Sequence, residues 1–415
     1  MSLAQTLGTT RPAPLLPLAR PLDMALGLAL AALGLFLPFS TAGVSLSLAA
    51  LALLALAAAP AVWRSAPWRE PTMAMGLLLL AYIAGHTLWS SGFAPPAWRL
   101  VNRYHELLMA PILFALFRLA SNQRAFLWGL SLSVIGYAAV HWLALLWPEL
   151  ATQLQPRRIS AGFILAVSAF LLLELARGNA RPWAWRAAAA FLAVTVLFAI
   201  DGRTGHLVLL LLAACAAWLH SPRRWRWAAI VVVPALLLLV ALGSKAVQQR
   251  VNETLAGSYV LQDGSLSSTG IRIELLRNGL DLAQRYGLAG AGFTRYAELH
   301  EQSVRERHAA DPAHTPSADG AWVRTVNPHN EYLMQLVGGG AVALLLFLAW
   351  LVLPMLRKAQ SGQVHAALVG ASLAFAAGCL FNSLLMDFTE GHFYSVVLAW
   401  LLAQTGTTAR DQTGP

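Results

Sequence analysis

The residues of this chain that could do chemistry are few, because only 12% of its 415 residues are charged and 58% are hydrophobic. His329, in Asn327-Pro328-His329-Asn330-Glu331-Tyr332, is the side chain best suited to moving a proton. Asn327 is a good N-cap and Pro328 fits a first helical position, which puts His329 in the first turn of the apolar run that follows. The positive end of that helix disfavours imidazolium. A neutral imidazole can accept a proton, as a general base must. The second set is arginine: Arg99, Arg103, Arg157, Arg158, Arg203 and Arg272. A guanidinium stays charged and its planar fork grips phosphate at two points. The bland use of each is to snorkel to a lipid headgroup, and Arg203 has Asp201 nearby as a neutralising partner.

Other polar groups carry weaker signals. Gly287, Gly290 and Gly292 lack the strand–turn–helix context of a phosphate loop and read as turns. His308, Asp311, His314 and Asp319 match no defined metal-ligand spacing, so no metal site is expected. Asp387, Glu390 and His392 lie between two late apolar runs, where acids are usually paired or functional. Asp387 can orient His329 or an arginine, and His105 and Glu106 could do the same. Gly338-Gly339-Gly340 would let a neighbouring helix or lipid chain approach closely. Cys215 and Cys379 lie in apolar runs and read as small hydrophobes. The sequence has no GxSxG elbow and neither cysteine sits by a base, so nucleophilic catalysis finds no support, and without a Walker loop no ATP-driven pump is expected.

The elements that must position these groups are helices long enough to cross a bilayer. A span needs roughly 20 apolar residues, and the chain offers about twelve such runs: 24–40, 42–62, 72–90, 104–120, 125–147, 159–176, 187–200, 205–220, 227–244, 331–353, 365–384 and 391–404. The reading is an all-α polytopic membrane protein. Residues 1–244 hold the first nine spans, 245–330 form one long, partly helical loop, and 331–415 hold the last three spans and a tail. One side carries the clusters Arg64/Arg69, Arg118/Arg124, Arg177/Arg181/Arg186, Arg223/Arg224/Arg226 and Arg357/Lys358. The positive-inside rule makes this the cytoplasmic side, with both termini on it. The long loop then faces outward, with an amphipathic helix from Ile271 to Tyr286 and a second from Thr294 to His308. The net charge of +10 is therefore a topology signal and no nucleic-acid footprint. A secondary transporter is disfavoured, because the charges gather at one face and no repeat is visible.

In layout and in short segments the chain resembles the O-antigen ligase and polymerase superfamily of bacterial membrane glycosyltransferases. The matching residues are Pro328-His329-Asn330, Asp201-Gly202-Arg203, and Arg272 ahead of Gly290-Ala291-Gly292-Phe293. In the ligase signature a His-Asn pair is followed by nine residues, then Gly, then two residues and a Gly, Thr or Tyr. Gly340 fits and Ala343 departs, which bears on ligase against polymerase. The resemblance implies a GT-C-like fold in the bacterial inner membrane. It also implies metal-independent, inverting transfer of a glycan from undecaprenyl pyrophosphate to a sugar hydroxyl of lipid A–core on the periplasmic face, without a cofactor. The expected roles are His329 as base and Arg203 and Arg272 on the pyrophosphate. Arg158, Arg157, Arg103, Asn330 and Asp387 are expected to bind substrate. A polymerase or a protein O-oligosaccharyltransferase of the same superfamily is the alternative.

Overall fold

The computed structural model describes residues 18–147, 158–177, 181–200, 202–243, 266–311, 321–359 and 361–405, with single residues 149 and 248. Among the described residues the protein is helical and has no β-strand. A helix lies on each of the twelve apolar runs. Arg20–Phe36 (α1) and Thr41–Ala57 (α2) come first, followed by the short Ala59–Arg64 (α3). Next are Pro71–Ser91 (α4), the short Pro95–Val101 (α5), Glu106–Leu119 (α6) and Arg124–Leu146 (α7). Then come Arg158–Ala176 (α8), Pro182–Phe198 (α9), Arg203–His220 (α10) and Arg226–Ala241 (α11). After the inserted helices Ser268–Tyr286 (α12) and Tyr296–Ala310 (α13), the chain ends in Glu331–Leu356 (α14), Gly362–Gly378 (α15) and Phe388–Ala403 (α16). Five of these (α4, α7, α8, α10 and α14) are long and apolar enough to cross a membrane, or six if the sharply bent segment that begins with α2 counts as one span. The chain is a helical membrane protein.

Local chemistry sets where the helices near the polar groups begin. The break between α9 and α10 falls at the expected polar turn, but Arg203 is the first residue of α10 and not part of the turn. His206 closes that start by hydrogen-bonding Gly202 O through Nδ1 at 2.8 Å. Two residues beyond Arg203, a Cβ on Gly205 would lie 2.6 Å from Gly162 Cα, so α8 and α10 cross at glycine contact.

The helix-start reading for α14 needs correction. Asn330, not Asn327, is its N-cap, and its side chain accepts from Leu333 N at 3.0 Å. Asn327 Oδ1 instead accepts from His329 N at 2.9 Å, so the segment makes a side-chain turn before the helix starts. His329 therefore precedes the first helical turn, with φ of +49°, a left-handed conformation uncommon for a non-glycine residue though one that histidine visits more readily than most.

The inserted helices are fixed to the bundle by backbone. At Gly340, φ of +74° interrupts α14, and the opened chain pairs with the segment after α12. Ala291 N donates to Val337 O at 2.8 Å, Gly292 N to Gly338 O at 2.9 Å, and Ala341 N to Leu288 O at 3.2 Å. Tyr82 Oη on α4 donates to Gly339 O at 2.8 Å. The glycine run thus admits neither another helix nor a lipid but the chain Leu288–Phe293, whose Phe293 ring would meet a Cβ on Gly338 at 2.5 Å. Gly290 and Gly292 are turn residues with φ of +82° and +97°. Between α12 and α13 lies a buried polar network. Asn278 Nδ2 donates to His300 Nδ1 at 2.6 Å, and Ser303 Oγ donates to Asn278 Oδ1 at 2.6 Å. Glu274, fully buried, takes Arg277 at 2.9 Å and Arg307 at 3.1 Å.

Candidate functional site

The first turns of three helices meet at one cavity of about 410 Å³. The start of α10 gives Arg203 and Thr204, α12 gives Thr269 and Arg272, and the lead-in to α14 gives Pro328, His329 and Asn330. Leu380 and Phe381 close it from the α15–α16 connection, and Leu207, Ile273 and Leu276 extend the apolar part of the wall. Each helix start brings the positive end of its dipole toward the cavity. Such ends favour an anion before any side chain is counted.

Two guanidiniums reinforce that preference. Arg203 is half-buried and held by a bond from its Nη1 to Thr269 Oγ1 at 2.9 Å, which ties α10 to α12. Arg272 is half-buried as well, and its pKa is drawn down by burial and then by the like charge of Arg203. The two cations are therefore close enough to repel. Among the described residues neither has a carboxylate partner, and Asp201 lies outside those residues. An anionic ligand with several oxygens is the natural counter-charge for such a pair.

His329 opens onto the same cavity. Its pKa is lowered, first by partial burial, then by the Arg272 guanidinium, while a hydrogen bond to the Asn382 side chain pulls the other way. Asn330 holds its backbone neighbour on both sides, capping Leu333 N and donating from Nδ2 to Leu380 O at 3.0 Å. Glu331 N donates to Cys379 O at 2.8 Å, so the turn carrying His329 is pinned to the end of α15. The neutral imidazole expected from the sequence agrees in direction, but burial and Arg272 are the causes here.

Arg103 is exposed on the short turn Asn102–Tyr104, and Arg99 is exposed on α5; neither lines the cavity. Asp387 is the N-cap residue of α16 and is also not among the lining residues. Arg158 begins α8, and Arg157, His314 and Asp319 lie outside the described residues. Thr269 and Asn382 went unnoticed in the sequence. Thr269 sits three residues before Arg272, on the same helix face, a spacing that could have drawn attention to it. Asn382 has no local signal.

No curated protein matches the chain. Residues 188–348, which span α10, α12 and most of α14 and so carry Arg203, Arg272 and His329, match the model of the family described as O-Antigen ligase, and the resemblance to that superfamily stands on this match.

Proposed function

We propose that the protein is an O-antigen ligase, transferring a glycan from undecaprenyl pyrophosphate to a sugar hydroxyl of lipid A–core. The observation that carries this is the convergence of Arg203, Arg272 and His329 on one cavity within the family-matched region. In this reading all twelve apolar helices belong to the membrane bundle of the bacterial inner membrane, both termini are cytoplasmic, and residues 245–330 face the periplasm. The cavity's apolar rim supports a lipid-linked donor: Leu207, Ile273, Leu276, Leu380 and Phe381 are each more than a third exposed.

His329 takes the proton of the acceptor hydroxyl as its oxygen attacks the anomeric carbon. The bond from that carbon to the pyrophosphate oxygen breaks, and the electron pair leaves on the lipid pyrophosphate. Arg203 and Arg272 neutralise the charge that develops there, as preorganised donors do in a site partly closed to water. Attack opposite the leaving group inverts the anomeric centre. Arg158, Arg157, Arg103 and Asp387 would bind the more distant parts of the substrates, and Asn330 fixes the turn that aims His329.

A polymerase is the second reading, favoured by Ala343 at the position where the ligase signature has Gly, Thr or Tyr; here Ala343 is fully buried against Gly339. Reconstitution with lipid-linked glycan and rough lipopolysaccharide separates the two. Glycan on lipid A–core supports ligase, and longer lipid-linked chains without it support polymerase. His329→Ala should abolish transfer with the helical content intact, and Arg203→Lys should lose about 100-fold or more, as when a preorganised donor is removed. Full turnover by either variant refutes its assigned role.

A further inference from the structure

Apart from the arginine cavity, the structure gathers His105, Glu106 and His392, whose ligand atoms all lie within 4.8 Å of one another. His105 and Glu106 sit at the start of α6, and His392 is in the first turns of α16. None of them lines the cavity. We propose that these three residues bind a divalent transition-metal ion of the zinc class, which clips the start of α6 to the start of α16.

The hydrogen bonding of the two rings leads to this. His105 Nδ1 is 2.6 Å from Asn102 O, and His392 Nδ1 is 2.7 Å from Phe388 O. A carbonyl oxygen only accepts, so both Nδ1 atoms carry the proton. Both Nε2 atoms then present lone pairs, and they face each other at 3.0 Å. Two lone pairs at that distance repel unless a positive centre lies between them. Two nitrogens on a tetrahedral zinc ion, with Zn–N bonds of about 2.0–2.1 Å, stand about 3.3 Å apart. Metal-bound histidines characteristically donate the other ring N–H to a carbonyl or carboxylate, and both rings here do so.

Glu106 is the independent observation. It is 1% exposed, and among the described residues neither carboxylate oxygen has a hydrogen-bond partner beyond its own backbone N–H. A carboxylate buried without a partner costs several kcal/mol, and a cation is the partner that two imidazole lone pairs also want. Two imidazoles and a carboxylate suit zinc-like ions better than calcium or magnesium, which prefer an all-oxygen shell. Three protein ligands leave one position for water or another small donor.

The test uses the full chain in nanodiscs, stripped with chelator and titrated with Zn²⁺ and with Co²⁺. One ion per chain should bind with a dissociation constant below about 1 μM, a value strong enough to raise the melting temperature at micromolar Zn²⁺. His105→Ala and His392→Ala should lose that uptake, whereas His308→Ala should keep it. His392→Cys should retain Co²⁺ and add a thiolate-to-cobalt charge-transfer band, which a packing role alone would not produce. Absence of Zn²⁺ and Co²⁺ uptake by the wild-type chain overturns the proposal, and a proton shared between the rings would then hold them together. Unchanged uptake by both alanine variants overturns it as well. The outcome does not depend on the transfer assay.

Discussion

Gly290→Ala tests whether the backbone clasp between the Leu288–Phe293 segment and α14 is what holds Arg272 at the cavity. The added Cβ would sit 2.6 Å from Gly340 N, 2.7 Å from Gly339 C and 2.8 Å from Gly338 O. All three are backbone atoms of the opened helix, so no side chain can turn aside. Holding a non-glycine residue at φ of +82° costs about 1–2 kcal/mol. Forcing the two chains apart adds about 1–3 kcal/mol. Stretching the bonds from Ala291 N and Gly292 N forfeits about 1 kcal/mol each. An expected loss of about 4–7 kcal/mol corresponds to about three to five decades in the closing equilibrium of the clasp. Hydrogen exchange in nanodiscs reads that equilibrium at the amides of Ala291 and Gly292. Protection there should fall by about 1,000-fold or more. Glycan transfer should fall with it, because α12 ends just before the clasp and carries Arg272. Gly85→Ala on α4, whose Cβ would meet nothing within 4 Å, is the control and should change neither. Native protection at Ala291 and Gly292 in Gly290→Ala would refute the claim that the clasp depends on glycine. Lost protection with full transfer would refute its link to Arg272.

Two further outcomes follow from the turn that carries His329. Asn330→Ala removes both the cap on Leu333 N and the bond to Leu380 O and should destabilise the α14 start by about 1–2 kcal/mol; Asn330→Asp keeps the cap but turns a carboxylate on Leu380 O, so comparing their denaturation midpoints and transfer rates separates capping from tethering. His329 should titrate below the ordinary histidine value of 6.5, so transfer should persist on the acid side of that value and fail only at lower pH. Arg272→Met should move the NMR titration of His329 upward by removing a like charge, and a titration at or above 6.5 in the wild type would contradict the geometry.

Much of the cavity was legible because its residues sit at helix starts, where local sequence is informative. Arg203 follows a polar break too short to be anything but a turn, and His329 sits beside two asparagines that both suit capping. The sequence reading took Asn327-Pro328 as the helix start because the pair fits the N-cap and first-turn preferences. The choice went to Asn330 through contacts that local preference cannot see: its amide reaches Leu380 O, and Glu331 N reaches Cys379 O. The Gly338–Gly340 run announced a close approach but not the partner, since what approaches is another glycine segment about fifty residues earlier. The sequence offers His105 and Glu106 an orienting role and groups His392 with Asp387 and Glu390, but with 287 residues between the two histidines only packing of α6 against α16 brings their rings together. Asp387 is expected from the sequence to orient His329 or an arginine because acids between late spans are usually paired or functional, whereas Asn382, whose side chain bonds His329, has no such local signal.

The arrangement of charge gives the proposed reaction an order. Before donor binding, Arg203 and Arg272 repel each other, and burial together with the Arg272 charge disfavours the protonated form of His329. A pyrophosphate seated between the guanidiniums relieves the first repulsion and screens the second. In the proposed reaction His329 would then become a stronger base when the donor is present, so the acceptor hydroxyl would be activated where there is something to attack. As the glycosidic bond to phosphate breaks, negative charge grows beside the arginines just as the proton arrives on His329. The imidazolium that was disfavoured in the empty cavity is now paired with an anion across Arg272. A carboxylate in the cavity would undo this, because it would neutralise the arginines in advance and raise the basicity of His329 in the resting state. Among the described residues that line the cavity none is acidic, which fits the proposed role of the two guanidiniums.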